Sequence, residues 1–277
     1  MDQTAQMRIS VLGIINSLVL KDSGSERVAK DVAYGASPRQ RLDIYRPFAS
    51  QEPRPVIVFL YGGGWSDGAK ADYAFAGRAL ASLGYVVVVP DYRLVPEVEY
   101  PHFLSDCADA VEWVIGNIWQ WGGDGSRLAL VGHSAGAYNA VMLGVDPSLL
   151  EARGISPAVK CIAGLSGPYD FFPFDGRISL RVFGAVREPE QTQPIEYVRA
   201  GLPPMLLGTG GGDKIVLPRN STAMAARLAE KGVEAELRLY PRLGHPGPLL
   251  ALMRPARFIA PVLADLKAFL TRHLPLD

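Results

Sequence analysis

The sequence predicts an α/β fold in which a mostly parallel central sheet of about eight strands is covered by helices on both faces. Short apolar runs alternate along the chain with longer helix-compatible stretches, and most of these runs are continuous. Continuous apolar runs are typical of strands buried on both faces, and strand–helix alternation is typical of parallel sheets. A chain of 277 residues, 48% of them hydrophobic, is long enough to bury the core of one such domain.

The strands are predicted from runs of β-branched and other apolar residues. Arg41–Arg46 alternates between polar and apolar residues, which is typical of a half-buried edge strand. Val56–Leu60 is apolar throughout, as expected of a strand that is covered on both faces. The remaining predicted strands are Tyr85–Val89, Leu128–Val131, Cys161–Leu165, Met205–Leu207 and Leu237–Tyr240.

The helices are predicted from the stretches between these strands, and proline near the start or glycine past the end marks most of them. They are Tyr73–Leu83, Leu104–Trp121, Ala137–Gly144, Pro218–Lys231 and Pro255–Leu274. Residues 167–204 do not follow the alternation. Their phenylalanines, prolines and charges predict a short insertion that packs over the sheet edge as a small cap.

The N-terminal segment contains two short apolar runs, Val11–Ile15 and Leu18–Leu20, which resemble the apolar part of a signal peptide. Asp2 makes a weak n-region, and no small-residue cleavage site follows Leu20. We therefore expect residues 1–30 to form a helical segment packed on a domain of residues 31–277, and we expect a cytoplasmic location. No apolar run approaches the ~20 residues that an integral membrane segment needs.

The charge balance bears on nucleic-acid binding, and the number of cysteines bears on disulfide bonds. The 28 Lys and Arg residues balance the 28 Asp and Glu residues, so nothing in the composition favours binding to nucleic acid. Cys107 and Cys161 are too few for a disulfide framework, and their positions in a predicted helix and strand favour small core residues.

The stretch Gly132–Gly136, with the sequence Gly-His-Ser-Ala-Gly, lies between the apolar strand Leu128–Val131 and a helix-compatible stretch. A sharp turn between strand and helix is the context that a G-x-S-x-G nucleophile elbow requires. The two glycines allow the flanking backbones to approach each other closely. The sequence therefore predicts that Ser134 is held at the end of the sheet as a nucleophile.

A serine hydroxyl becomes a good nucleophile when a base takes its proton, and four histidines could serve. His133 is expected to point away from the strained turn, His102 precedes the serine in the chain, and His273 lies in the last turn of the final helix. His245 follows the predicted strand Leu237–Tyr240, and loops at the carboxyl ends of parallel strands build the sites of α/β sheets. The chain order and the loop favour His245.

The base needs an acid that fixes its tautomer, and the order Ser, Asp or Glu, His places the acid between positions 134 and 245. Asp213 follows the strand Met205–Leu207 and the glycines Gly210–Gly212, so it lies past the carboxyl end of a strand. Asp170 follows the previous strand and is the alternative, although capping of a turn is a sufficient role for it.

A glycine-rich stretch, Tyr61–Trp65, directly follows the buried strand Val56–Leu60. Its glycines allow backbone N–H groups to turn toward a ligand without an obstructing side chain. Together with the amide of Ala135, the amides of Gly63 and Gly64 would form an oxyanion hole. Phosphate binding fits less well, because no Lys-Ser or Lys-Thr pair follows as in a P-loop.

These three motifs resemble those of the α/β-hydrolase fold, and within it the carboxylesterases related to the hormone-sensitive-lipase group. The resemblance extends from about Asp31 to the C-terminus. Relatives carry His-Gly-Gly-Gly-Trp, whereas this chain has Tyr61 in place of that histidine. The stretch Asp91–Leu94 matches the stretch that supports the glycine loop in such families. The family's variable residue before the nucleophile is His133 here, and Gly210–Gly212 replaces a His-Gly pair that often precedes the family's aspartate.

The resemblance implies a serine carboxylesterase that forms an acyl-enzyme on Ser134, with His245 as the base, Asp213 as the acid, and neither metal nor organic cofactor. The candidate substrate-binding residues are Trp65, Tyr169, Phe171 and Val216. The short insertion favours small esters with short acyl chains as the substrate, and the chain is expected to be a monomer or a homodimer. Two alternatives stay open: an arylformamidase or other amide hydrolase that uses the same triad, and a non-catalytic hydrolase-fold binding protein.

Overall fold

A central sheet organises the protein in the computed structural model, which describes residues 10–48 and 53–277. Within those residues the sheet has eight strands, in the spatial order β1-β2-β4-β3-β5-β6-β7-β8 when the strands are numbered along the chain. They are β1 (Ser25–Ala33), β2 (Arg41–Pro47), β3 (Arg54–Leu60), β4 (Val86–Pro90), β5 (Gly123–His133), β6 (Val159–Leu165), β7 (Met205–Gly210) and β8 (Ala235–Tyr240).

The strand directions place the loops of interest at one edge of the sheet. The pairs β1–β2 and β2–β4 are antiparallel, whereas β4–β3, β3–β5, β5–β6, β6–β7 and β7–β8 are all parallel. The carboxyl ends of β3, β5, β7 and β8 therefore meet at the same edge, which is where open α/β sheets bind ligands. The predicted α/β fold with a mostly parallel sheet is confirmed.

Helices cover the sheet on both faces, as the burial of its central strands requires. All six residues of β7 and six of the seven residues of β3 are buried. The helices are α1 (Val11–Leu18), α2 (Ala74–Ala81), α3 (His102–Asn117), α4 (Ala135–Val145), α5 (Arg177–Phe183), α6 (Arg219–Glu230), α7 (Gly247–Leu250) and α8 (Val262–His273). Helix α4 packs on β3, β5 and β6, and α8 packs on β6 and β7. The thiols of Cys107 and Cys161 are buried and free, as expected of small core residues.

The N-terminal segment differs from the helical segment predicted for residues 1–30. Residues 1–9 lie outside the described residues, and the helix α1 ends at Leu18. Ser25–Ala33 then forms the edge strand β1, so the predicted boundary at residue 30 is wrong because it divides a strand. Helix α1 is anchored by Asn16, whose Nδ2 donates to the Ala71 carbonyl at 2.8 Å and whose Oδ1 accepts from the Phe75 amide at 3.0 Å.

The last predicted helix, Pro255–Leu274, is interrupted. A short 3₁₀ turn covers Arg254–Ile259, and α8 begins only after Pro261. Ala260 has an extended backbone (φ −165°, ψ 152°), because a residue that precedes proline is sterically disfavoured in the helical region. The prediction of one continuous helix here is therefore wrong.

The insertion, residues 167–204, lies over the edge of the sheet that is formed by the carboxyl ends of the central strands. Its helix α5 buries Val182 and Phe183, and the Phe183 ring centroid lies 4.9 Å from that of Trp65 in the loop after β3. The insertion therefore covers the edge of the sheet where the predicted catalytic loops meet.

Candidate active site

The nucleophile elbow forms as the sequence predicts. Ser134 joins β5 to α4 with φ 55° and ψ −123°, a strained conformation for a residue with a side chain. A methyl group on Gly132 would lie 2.2 Å from the carbonyl oxygen of Gly136, and a methyl group on Gly136 would lie 2.0 Å from that of Leu60. Both positions therefore require glycine. The elbow holds Ser134 at the N-terminus of α4, where the helix dipole favours a developing negative charge.

The side chains of Ser134, His245 and Asp213 form one hydrogen-bonded series. His245 Nε2 lies 2.8 Å from Ser134 Oγ, and His245 Nδ1 lies 2.8 Å from Asp213 Oδ2. With Nδ1 donating to the carboxylate, Nε2 carries the lone pair that can accept the serine proton. The structure thus brings together the three residues that the sequence singled out.

The Asp213 carboxylate is held from two sides. Its Oδ2 faces His245, while its Oδ1 accepts hydrogen bonds from the amides of Ile215 and Val216, each at 2.9 Å. Burial alone would raise the pKa of this carboxyl, but the hydrogen bonds from His245, Val216 and Ile215 outweigh burial and lower its pKa below the usual range. Asp213 therefore stays ionised and oriented toward the imidazole.

The glycines before Asp213 allow its loop to pack against the loop that carries His245. A methyl group on Gly210 would lie 2.3 Å from the carbonyl oxygen of Leu243, and the Gly212 amide donates to that same carbonyl at 2.9 Å. The Gly211 amide donates to the Tyr240 carbonyl at 2.9 Å. The glycine run that departs from the family pattern thus serves to join the acid loop to the base loop.

The glycine loop after β3 presents backbone amides beside Ser134. Gly63 has φ +131° and Gly64 has φ +58°, both in the region that favours glycine. Gly63, Gly64 and Ala135 line the same cavity as Ser134 and His245. Among the described residues, no protein acceptor receives a hydrogen bond from the amides of these three residues. They are free to donate to an oxyanion.

Tyr61, which replaces the histidine of the family pattern, holds this loop in place through its buried side chain. Its ring lies in a stack between Tyr73 and Tyr92, with centroid distances of 5.2 and 4.9 Å. Its hydroxyl donates to Asp91 Oδ1 at 2.8 Å and accepts from Arg39 Nη2 at 3.0 Å. Burial and the nearby Asp91 raise the pKa of Tyr61 far above its usual value, so the phenol stays a neutral donor.

The stretch Asp91–Leu94 supports the glycine loop, as the resemblance implies. Asp91 Oδ1 also accepts from the Lys70 amide at 2.7 Å, and the Tyr92 hydroxyl donates to the Tyr61 carbonyl at 2.8 Å. Arg93 pairs with the buried carboxylate of Asp106 through Nη2 at 2.6 Å and Nε at 2.9 Å. The Tyr92 hydroxyl thus holds the loop backbone at a carbonyl and leaves the loop amides unused.

A cavity of about 620 Å³ opens above Ser134. Of the predicted substrate-binding residues, Trp65, Phe171 and Val216 line it. Tyr169 does not, and its prediction as a substrate-binding residue is wrong. Its side chain is fully buried beneath the loop, where a methyl group on Gly164 would lie 2.0 Å from the Tyr169 hydroxyl. The Tyr169 side chain is directed at Gly164 of β6 and not into the cavity.

Several cavity residues were missed by sequence reasoning. Ile178 of α5 lies over the glycine loop, since a methyl group on Gly64 would approach Ile178 Cγ2 to 3.0 Å. Ile215 lies beside Asp213 and is 70% exposed. An apolar run next to the acid could have indicated Ile215, whereas nothing in the sequence ties Ile178 to the loop after β3. Other lining residues include Tyr73, Pro168, Arg177 and Asn220.

His133 also lines the cavity, although the sequence predicts that its side chain points away. Its Nε2 lies 3.2 Å from the carbonyl oxygen of His245, and the centroids of the two imidazole rings are 5.3 Å apart. Burial, and to a lesser extent the neighbouring His245, lower the pKa of His133 to about 3. The ring is therefore neutral near pH 7.

The remaining candidates from the sequence lie elsewhere. The backbone amide of Asp170 donates to Asn220 Oδ1. Asp213 occupies the place beside His245 Nδ1 that Asp170 would need in order to serve as the acid. His102 begins α3, with Nδ1 3.2 Å from the Glu99 carbonyl, and His273 lies at the end of α8. Neither of these two histidines lines the cavity.

In the described part of the chain, one cluster of side chains could hold a metal ion. It consists of Glu234, Glu236 and His273, whose potential ligand atoms lie within 4.8 Å of one another. It lies at the amino end of β8, away from the carboxyl ends where Ser134 is held. Glu236 pairs with Arg238 at 2.6 Å and with Arg272, so its charge is already compensated. Nothing in this arrangement connects it to the cavity.

Comparison with known families agrees with this geometry. The BD-FAE family model matches residues 42–228, which is more than half of the 277-residue chain. The chain belongs to the BD-FAE family. The matched BD-FAE region contains the glycine loop, the elbow and Asp213. The model of the prolyl oligopeptidase family matches residues 182–276, which contain Asp213 and His245.

Curated proteins similar to this BD-FAE family member include esterases. A probable isoprenylcysteine alpha-carbonyl methylesterase of Arabidopsis thaliana is 33% identical over 238 residues, which cover 78% of this chain and 56% of that protein. Esterase LipC of Mycobacterium tuberculosis is 30% identical over 219 residues, which cover 71% of this chain and 54% of that protein. The chain thus spans little more than half the length of these relatives.

A solved structure similar to this BD-FAE family member is that of a thermostable esterase from Pseudomonas putida. It superimposes with a TM-score of 0.80 and 26% sequence identity, covering 96% of this chain and 89% of that one. The resemblance to α/β-hydrolase carboxylesterases of the hormone-sensitive-lipase group, which the motifs indicated, is confirmed. In the part of the chain that the structure describes, no helix has both the length and the apolar character needed to cross a bilayer.

Proposed function

We propose that this chain is a serine carboxylesterase that hydrolyses short-chain carboxylic esters through an acyl-enzyme on Ser134. The observation that carries the proposal is the position of His245, with Nε2 2.8 Å from Ser134 Oγ and Nδ1 2.8 Å from Asp213 Oδ2. A neutral imidazole held by a carboxylate on one side accepts the proton of a hydroxyl on the other.

The chemistry follows from these contacts. Ser134 Oγ attacks the ester carbonyl carbon while its proton moves to His245 Nε2, and the carbonyl oxygen becomes an oxyanion. The amides of Gly63, Gly64 and Ala135 stabilise that charge. The bond to the alcohol oxygen then breaks, and His245 gives its proton to the leaving alkoxide. Water, deprotonated by His245, attacks the acyl-enzyme and releases the carboxylic acid and Ser134.

The cavity supports small substrates. Its volume of about 620 Å³ lies within the usual range for small-molecule sites, and apolar residues such as Phe171, Ile178 and Val216 line it. The longest element of the insertion is the seven-residue helix α5, and the rest of the insertion has only short 3₁₀ turns, which is little cover for a long acyl chain. The similarity to a protein named as a methylesterase supports an ester with a small group on one side.

The proposal is tested with a chain-length series of p-nitrophenyl esters from acetate to palmitate. We expect kcat/KM to be highest for the acetate to hexanoate esters and to fall for longer chains. The Ser134→Ala variant, checked for folding by circular dichroism, is the control and should be inactive. Retained turnover in that variant would sink the proposal, and a maximum at palmitate would sink the short-chain preference alone.

Amide hydrolysis is the second candidate, because the prolyl oligopeptidase family model matches the segment that carries Asp213 and His245. The same residues can release an amine, provided that His245 protonates the leaving nitrogen. A matched ester and formamide of the same aryl group distinguish the two. We expect the ester to have the larger kcat/KM; a larger value for the formamide would favour the arylformamidase.

We also propose that the protein acts in the cytoplasm as a monomer or a homodimer. Cys107 and Cys161 are buried as free thiols, which is usual in a reducing compartment. Cell fractionation tests the location, and light scattering of the purified protein tests the oligomeric state. Recovery in a membrane or secreted fraction, or a mass above that of a dimer, would contradict these proposals.

A further inference from the structure

The His133 side chain touches both of the other loops that build the site. Its backbone belongs to the elbow beside Ser134. Its ring packs on the glycine loop, since a methyl group on Gly62 would lie 3.1 Å from His133 Nδ1. Its Nε2 lies 3.2 Å from the backbone carbonyl oxygen of His245. The residue before the nucleophile thus joins the nucleophile, the oxyanion loop and the base.

The hydrogen bond to His245 determines the state of the His133 ring. A carbonyl oxygen is only an acceptor, so His133 Nε2 must carry a proton to bond with it. The other ring nitrogen, Nδ1, is buried and has no hydrogen-bond partner among the described residues. A proton there would add an unsatisfied buried donor and a positive charge beside His245. The ring is therefore the neutral tautomer with hydrogen on Nε2.

The carbonyl of His245 depends on this donor. Within residues 10–48 and 53–277, no other hydrogen bond is made to that carbonyl oxygen. His245 lies in a loop whose following residues, Pro246 and Gly247, only begin the short helix α7. The bond from His133 therefore ties the backbone of the base to the rigid end of β5, at the residue directly before Ser134.

We propose that His133 is a positioning residue, whose Nε2–H holds the His245 backbone so that the His245 imidazole stays within hydrogen-bond distance of Ser134. This inference rests on the proposed esterase function, because the held group is its base. His133 exchanges no proton with substrate. It acts through His245, and a shift of about 1 Å in a reacting group is enough to slow catalysis severely.

The experiment compares two substitutions of equal length. In His133→Gln, the Gln Nε2 lies near the position of the imidazole Nε2 and can donate to the His245 carbonyl. In His133→Met, the side chain has similar bulk but no donor. We expect His133→Met to lower kcat about fivefold to tenfold with KM nearly unchanged, as the loss of one hydrogen bond implies, and His133→Gln to retain most of kcat.

Unchanged kcat in His133→Met, or equal losses in His133→Gln and His133→Met, would overturn the inference. If the Met variant does not fold, His133→Asn replaces it, since its shorter amide does not reach the carbonyl. His102→Met, at an exposed position remote from the cavity, is the control for loss of a histidine and should match the wild type.

A second measurement does not depend on activity. ¹⁵N NMR of the histidine rings should show His133 protonated on Nε2 and unprotonated on Nδ1 near pH 7. The reverse tautomer would overturn the positioning role even in an active esterase. Failure of the esterase proposal has a different signature, namely no ester turnover in the wild type or full turnover in Ser134→Ala.

Discussion

Asp213 Oδ2 lies 2.8 Å from His245 Nδ1, across 32 residues of chain that contain one helix and one strand. The loops that carry the two residues are themselves hydrogen-bonded, because the Gly212 amide donates to the Leu243 carbonyl. The acid is thus fixed to the base by backbone as well as side-chain contacts. This arrangement explains why an aspartate preceded by three glycines can take the place of one preceded by His-Gly.

The first prediction concerns the choice of acid. Asp213→Asn should lower kcat/KM by about 10⁴-fold, because an amide that donates to His245 Nδ1 favours the wrong tautomer. Asp170→Asn, the matched control, should stay within about twofold of the wild type, since a side chain that takes no part in the reaction costs little. Steady-state kinetics on p-nitrophenyl acetate measure both. The opposite ranking would move the acid to Asp170.

The oxyanion loop gives the second prediction. In Gly63→Ala, the new methyl group would lie 2.0 Å from the Asp67 carbonyl oxygen, so the loop must move and its amides lose their alignment. We expect kcat to fall about 100-fold to 1,000-fold, as for the loss of one oxyanion donor. Gly201→Ala is the control, because Gly201 also has a positive φ (79°) but open space around it. Equal activity in the two variants would contradict the role of the loop.

Tyr169 and Phe171 differ in a way that kinetics can measure. Tyr169 is fully buried, and its hydroxyl has no hydrogen-bond partner among the described residues. Tyr169→Phe should therefore leave kcat and KM unchanged and leave the thermal midpoint equal or higher, since an unsatisfied buried hydroxyl is destabilising. Phe171→Ala removes a cavity wall and should raise KM severalfold. A rise of KM in Tyr169→Phe would restore Tyr169 as a substrate-binding residue.

The buried His133 predicts a pH dependence of folding. Its pKa is about 3 when folded, against about 6.5 in an unfolded chain. Between these values only the unfolded chain binds the proton, so the free energy of unfolding falls as the pH is lowered from about 6.5 toward 3. His245 and Asp213 are the titratable groups that face the ring.

The measurement is urea unfolding of the wild type and of His133→Gln at pH 7 and at pH 4.5. The wild type should lose about 2 kcal/mol more stability than the variant over this interval, because glutamine does not titrate. Parallel losses in the two proteins would show that His133 is protonated in the folded state as readily as in the unfolded one.

Much of the fold could be predicted, because the strands that build the site are apolar and covered on both faces. Such strands leave a continuous signal, as Val56–Leu60 does within β3. The edge strand β1 leaves none. Its charged residues face solvent on one side, and its pairing with β2 is broken by register shifts on either side of Ala29. β1 is a strand because it pairs with β2, and this pairing leaves no periodic pattern in the sequence of β1.

The catalytic side chains could be predicted because each follows a strand whose end is visible in the sequence. The cavity walls could not. Ile178 reaches the glycine loop only because Phe183 of the same helix packs on Trp65. The aromatic residues of the insertion predict a pocket wall at Tyr169 as much as at Phe171, and only their burial distinguishes them. The role of His133 depends on the backbone carbonyl of His245, and since every residue has a backbone carbonyl, the sequence does not reveal this contact.

The most direct test of the account is the site of covalent labelling by a fluorophosphonate, located by mass spectrometry of the digested protein. An oxygen activated by His245 should take one phosphonyl group at Ser134, and His245→Gln should slow that reaction by at least 100-fold, because the base then no longer takes the proton. Labelling at another residue, or labelling of Ser134 at an undiminished rate without His245, would contradict the claim that these two side chains act together.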